Sequence, residues 1–183
     1  MIVVDIQPAY QDSIDFLDQF VDHYNKQSKK VLFFFNGPTR EGESKLNVIE
    51  WLQDQGVTQD AISNTIFYQK DYGFIRDGLD SFSYLDVYAV LKYMKENGQN
   101  HTKELTYSDI ENLQNSDIDQ AFIDGIAKKT CKLNVRPDII KLLKLFDGHE
   151  IIGGKADRCL LEIVCLMDAF GLKYVKNKKL IYS

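Results

Sequence analysis

Apolar positions fall into two kinds of run along the chain, short unbroken stretches and longer stretches with helical spacing. Met1 to Asp5 is a short apolar run ending in an acid. It predicts a buried strand with a polar group at its carboxyl end. Pro8 breaks the chain after it. From Ser13 to Asn25, Ile14, Leu17, Phe20, Val21 and Tyr24 recur at the steps of one helix face. Val31 to Phe35 is apolar throughout, bounded by Lys29-Lys30 and by Asn36-Gly37-Pro38. An unbroken run of this kind fits a strand covered on both faces, as in parallel sheets. A second helix is expected from Ser44 to Gln55, with Leu46, Ile49, Trp51 and Leu52 as its apolar residues and Gly56 as its stop.

The alternation continues. Asn64 to Tyr68 predicts a third strand and Ser83 to Asn97 a third helix. Gln99 to Pro137 is polar and mixed, with weaker helix signals at Ser108 to Leu113 and Asp117 to Ala127. Pro137 opens a helix to about Phe146, in the first-turn position that suits proline. Glu150 to Ile152 predicts a strand, Gly153-Gly154 a turn, and Asp157 to Phe170 a helix stopped by Gly171. Lys173 to Val175 and Leu180 to Tyr182 predict a last strand or a strand pair. Strands alternating with helices imply the α/β class, with a mainly parallel sheet covered by helices on both faces. In such sheets ligands bind beyond the carboxyl ends of the strands. Three places then carry interest: Asp5, Lys70 just past the third strand, and the turn before Cys159.

Length and composition narrow the classes. A chain of 183 residues, 44% hydrophobic and 27% charged, suits one soluble domain over residues 1–183. The net charge of −5 argues against a nucleic-acid partner, because phosphate binding needs a clustered basic surface. The basic stretches at Lys128-Lys129 and Lys176 to Lys179 are short and read as solvated faces. No apolar run approaches the roughly 20 residues of a membrane-crossing helix, so no membrane partner is expected. Three cysteines without a C-x-x-C pair suit a reducing compartment, and the opening lacks the marks of a secretion signal. A cytoplasmic location is the expectation.

Cys159 follows strand, glycine turn and helix start, which puts its thiol at a helix N-terminus. The helix dipole and unpaired N–H groups there favour thiolate and stabilise an oxyanion. The alternative is a small core residue. Cys165, within Ile163-Val164-Cys165-Leu166-Met167, reads as core. Asp5 needs a partner, since an unpaired buried charge is costly. A general base to a thiol, a helix cap and a metal ligand all remain open for it. Lys70 at the same sheet edge would favour both a thiolate and an ionised Asp5, or else is a surface lysine.

Asp5-Ile6-Gln7-Pro8-Ala9-Tyr10 resembles the D-x-Q-x-x-[FY] element that opens the isochorismatase-like hydrolases. Lys70-Asp71-Tyr72-Gly73-Phe74 is similar to the segment in which that family's lysine precedes an aromatic. Gly153 to Cys159 resembles its G-x-x-x-D-x-C turn, and Asp168 to Tyr174 the end of the following helix. About Gln99 to Arg136 lies outside the resemblance and reads as a helical insertion. The chain is also similar to short proteins of tailed phages, which would place it in the cytoplasm of a host cell.

The resemblance implies a three-layer α/β/α, Rossmann-type fold with a five- or six-stranded sheet. It implies that Cys159 attacks a small amide-like or C–N substrate, Asp5 takes the thiol proton and Lys70 assists both. The N–H groups of Lys155 and Cys159 would form the oxyanion hole after a cis Gly154-Lys155 peptide. Gln7, Tyr10, Asn36, Tyr72, Phe74, Arg76 and Arg158 are the expected substrate-binding residues, Arg158 suiting an anion. The aromatics among them fit core packing equally well. Family members commonly pair, which allows a homo-oligomer. Related nicotinamidases hold a metal through an aspartate and two histidines after strand two, but Asn36 to Glu41 has no histidine. His23, His101 and His149 lack ligand spacing, so neither metal nor cofactor is expected. Two other readings compete. One is a catalytically silent relative that binds a host protein or a small nucleotide signal. The other is a nucleotide-binding domain using Asp5 for magnesium.

Overall fold

The computed structural model describes residues 1–38, 42–70, 137–156 and 159–182. The expected helix at Ser83 to Asn97, the two weaker helix signals and the insertion at Gln99 to Arg136 lie outside the described residues. So do Tyr72, Phe74, Arg76 and Arg158.

Five strands are present among the described residues: β1 (Ile2–Val4), β2 (Val31–Asn36), β3 (Thr65–Lys70), β4 (His149–Gly153) and β5 (Tyr174–Lys176). All are parallel, in the order β3-β2-β1-β4-β5. The α/β class therefore holds, with five strands of the five or six expected. The helices are α1 (Leu17–Asn25), α2 (Lys45–Asp54), α3 (Gln59–Ser63), α4 (Pro137–Lys144) and α5 (Cys159–Ala169). The chain lays β2 and β3 to one side of β1, then returns to place β4 and β5 on the other. Strand order thus reverses between β1 and β4, and the crevice at such a switch point is where open α/β sheets bind ligands. No helix among the described residues is long and apolar enough to cross a membrane.

The chain divides into two compact units. Met1–Asp71, Phe146–Leu161 and Tyr174–Ser183 make the first, which holds the whole sheet. Tyr72–Leu145 and Glu162–Lys173 make the second, in which Ile139, Leu143, Ile163, Leu166 and Met167 are buried. In the first unit Val3, Phe33 and Ile152 share one sheet face and pack with Phe16, Phe20 and Tyr24, with Val48 and Leu52, and with Ile62. Alternate residues Ile2, Val4, Leu32, Phe34 and Ile151 point to the opposite face and are fully buried as well. Burial on both faces explains why β2 is an unbroken apolar run rather than an alternating one.

Several boundaries differ from the periodicity. A 3-10 helix at Pro8–Ser13 precedes α1, which starts at Leu17 rather than Ser13. Ile14 and Phe16 are buried from an irregular segment between them, and spacing alone does not separate that from a helix face. In α2, Leu46 is 69% exposed, and Val48 and Leu52 form the buried pair one turn apart. Ser44 caps α2 by accepting from the Asn47 N–H. Gly56 ends it in a left-handed conformation, with Gly56 N–H bonded to Gln53 and Val57 N–H to Leu52. Helix α3 had no periodic signal, since it is five residues long. It starts where the Thr58 side chain accepts from the Ala61 N–H. Leu180 to Tyr182 is not a second late strand: Lys178–Leu180 is a 3-10 turn, and Tyr182 forms a single parallel bridge with Lys155.

Phe33 is wholly buried at the centre of the core, so Phe33→Ala is expected to lower unfolding stability by about 3–5 kcal/mol. Leu46→Ala on the exposed side of α2 is expected to stay within about 0.5 kcal/mol of the parent. Urea unfolding of the two variants checks the pair.

Candidate functional site

Asp5 is the first residue beyond β1. Its N–H donates to the Phe34 carbonyl at 3.0 Å, which continues the ladder with β2 by one step. Its φ is then 51°, in the left-handed region that a residue with a Cβ seldom adopts. Left-handed residues outside glycine cluster where surrounding structure holds them, often at functional sites. The Asp5 side chain is fully buried.

Lys70 closes β3 and is 3% exposed, so it is not a surface lysine. Its Nζ lies 2.6 Å from Asp5 Oδ2. The two strands are separated by β2, and neighbouring strands sit about 4.8 Å apart. The lysine stem therefore crosses over the end of β2 to reach the carboxylate. Among the described residues, neither Asp5 oxygen accepts a hydrogen bond of good geometry. Charge attraction holds the carboxylate, and Oδ1 is left to accept a proton or a donor.

The carboxyl end of β2 is tied to the segment after β1 by Gln7, which is fully buried. Its Oε1 accepts from the Asn36 N–H at 2.7 Å, and its Nε2 donates to the Asn36 carbonyl at 3.3 Å and to Glu43 Oε2 at 2.5 Å. Gln7, expected to touch substrate, thus has both ends of its amide engaged by the protein. Glu43 was not anticipated, and nothing in its sequence neighbourhood signals it. The Asn36 side chain donates to the Tyr10 hydroxyl at 2.6 Å, and the Tyr10 ring packs against the core.

On the other side of the switch point, Val4 pairs with Gly153. Gly153 and Gly154 both adopt positive φ, 74° and 65°. A Cβ on Gly153 would stand 2.3 Å from the Val4 carbonyl oxygen, and one on Gly154 would press on Leu160 and Val4. Only glycine permits β4 to turn this tightly against β1. The expected cis peptide at Gly154-Lys155 is absent, and this link is trans. The turn is closed without it by the Leu160 N–H donating to the Lys155 carbonyl at 3.1 Å. Helix α5 then begins at Cys159, whose thiol is half-buried.

Two phenols report on the electrostatics. Burial pushes the Tyr10 hydroxyl upward, the Asn36 hydrogen bond opposes this, Asp5 and Cys159 add to the rise, and Lys70 offsets it. Burial pushes the Tyr182 hydroxyl upward, with Asp5, Cys159 and Tyr10 adding to it. Asp5 and Cys159 are thus both within electrostatic reach of each phenol. The sequence marks Tyr182 only as part of a late strand. No pattern of residue types marks it, because its partner Asp5 is 177 residues away.

Elsewhere in the unit, His23 Nε2 lies 2.5 Å from Glu150 Oε2, and Asn177 donates to Glu150 Oε1. Glu150 stands near the amino end of β4, away from the strand ends that carry Asp5 and Lys70. No group of three or more metal-ligating side chains occurs among the described residues.

Removing one member of a buried ion pair leaves the other charge uncompensated. Lys70→Met is therefore expected to cost about 3–5 kcal/mol of unfolding stability. Adding Asp5→Asn to it is expected to recover part of that loss in a double-mutant cycle read by chemical denaturation. Compared with protein-family models, with curated proteins and with solved structures, the chain returns no match.

Proposed function

We propose that this protein is a cysteine hydrolase of the isochorismatase-like type, with a three-layer α/β/α fold, acting on a small amide-like or C–N bond. The observation that carries the reading is the desolvated Asp5–Lys70 pair at the strand-order switch, beside the double-glycine turn that launches Cys159. A buried carboxylate with an oxygen available, next to a cation and near a thiol at a helix N-terminus, is suited to proton transfer and nucleophilic attack.

In this mechanism Cys159 Sγ forms a bond to the substrate carbonyl carbon as its proton passes to Asp5. The positive end of α5 and the N–H groups of Lys155 and Cys159 take up the oxyanion. The C–N bond then breaks and the proton on Asp5 leaves with the amine. Water, deprotonated by the same carboxylate, attacks the thioester and releases the acid and the thiol. Lys70 stays paired with Asp5 and supplies positive charge beside the reacting groups. Asn36 at the end of β2, and the Tyr10 hydroxyl that accepts from it, would line the substrate side. Tyr72, Phe74, Arg76 and Arg158 belong to the same proposal through the family resemblance.

Alkylation with iodoacetamide near neutral pH tests this. Cys159 is expected to react about tenfold or more faster than Cys131 and Cys165, and Asp5→Asn is expected to remove most of that advantage. Mass spectrometry of each labelled cysteine reads the rates. Equal rates for Cys159 in the native and the denatured chain would sink the hydrolase reading and favour a silent binding protein.

A further inference from the structure

We propose that Tyr182 is a positioning residue of this site, tying the Asp5 backbone to the turn that starts the Cys159 helix. The proposal rests on the hydrolase reading above. The Tyr182 hydroxyl donates to the Asp5 carbonyl at 2.9 Å in a fully buried contact. The backbone of the same residue forms a parallel bridge with Lys155, and its carbonyl accepts from the Ala156 N–H at 3.2 Å. Lys155 in turn accepts from Leu160, inside the first turn of α5. One residue thus touches both arms of the site: Asp5 through its side chain and the Gly154-Lys155-Ala156 turn through its main chain.

Asp5 is where such a tether has work to do. Its left-handed backbone is disfavoured for an L-residue, and the disfavour is of the same order as one buried hydrogen bond. The carbonyl held by Tyr182 belongs to the very residue whose φ is left-handed. Without the hydroxyl, Asp5 relaxes toward the extended region and its carboxylate swings from the place where it can receive the thiol proton. The ring, by contrast, has a separate role. It is 6% exposed and stacks on Phe16, with centroids 6.3 Å apart and planes 28° apart. Hydroxyl and ring are therefore separable by substitution.

Tyr182→Phe keeps the stack and the backbone bridge and removes the hydroxyl alone. The test is the pH profile of Cys159 alkylation by iodoacetamide in the full chain, with Phe16→Leu as the companion that loosens the stack and spares the hydroxyl. In Y182F the rate at pH 7 is expected to fall about tenfold while the high-pH plateau stays, so the apparent midpoint rises by about one pH unit. In F16L the profile is expected to match the parent even as the thermal midpoint drops. A Y182F profile that superimposes on the parent overturns the proposal, and so does an equal shift in both variants, which would mark a purely structural role. Should Y182F fail to fold, Tyr182→4-aminophenylalanine keeps a donor on the ring; a parental profile there supports the tether and an ordinary thiol profile overturns it. A parent whose Cys159 reacts no faster than Cys131 and Cys165 fails the hydrolase reading itself, and the positioning role with it. A fast parent with an unchanged Y182F fails the tether alone.

Discussion

A single buried ion pair organises the carboxyl end of this sheet. Asp5 and Lys70 are both withdrawn from water, and each charge is tolerable there only because the other is beside it. Their strands are not neighbours, so the pair clamps β1 to β3 across the end of β2. Gln7 repeats the clamp one layer out, holding the backbone of Asn36 from both sides. The result is three strand ends tied together and a charged pair buried at the carboxyl edge of an apolar sheet. Replacing such a pair with apolar residues is often neutral or stabilising in proteins, whereas removing one partner alone is costly.

The backbone beside the pair is unusual in the same direction. Asp5, Gly153 and Gly154 leave the two central strands through left-handed conformations. For the glycines the reason is space, since a Cβ on Gly153 would strike the Val4 carbonyl. For Asp5 no such allowance exists, and its conformation is held by the ladder bond to Phe34 and by the Tyr182 hydroxyl. A left-handed aspartate and a tight glycine turn therefore stand at the carboxyl ends of two adjacent strands.

Much of the sheet was legible along the chain. The unbroken run Val31 to Phe35 marked a strand buried on both faces, and the acid closing the first run marked the carboxyl end of β1. Ser44 and Gly56 bounded α2 within a residue of the expected ends. Less legible were the segments where side chains are buried without periodicity. Ile14 and Phe16 enter the core from irregular backbone, and α3 is too short to repeat a pattern. Leu46 counted as a core position by residue type and faces outward, while its neighbour Val48 is buried.

Local order in the chain thus determined element types, the α/β class and the three residues placed at strand ends, because hydrophobic spacing and turn chemistry act over a few residues. What only the tertiary structure decided is partnership. Lys70 could have been a surface lysine; it is buried against Asp5 because β3 runs parallel to β1 with β2 between them. Tyr182 had no motif at all, and its hydrogen bond to Asp5 spans almost the whole chain. Contacts of that kind depend on strand order and register, which are settled by packing of the entire sheet and leave no periodic trace in the residues that make them.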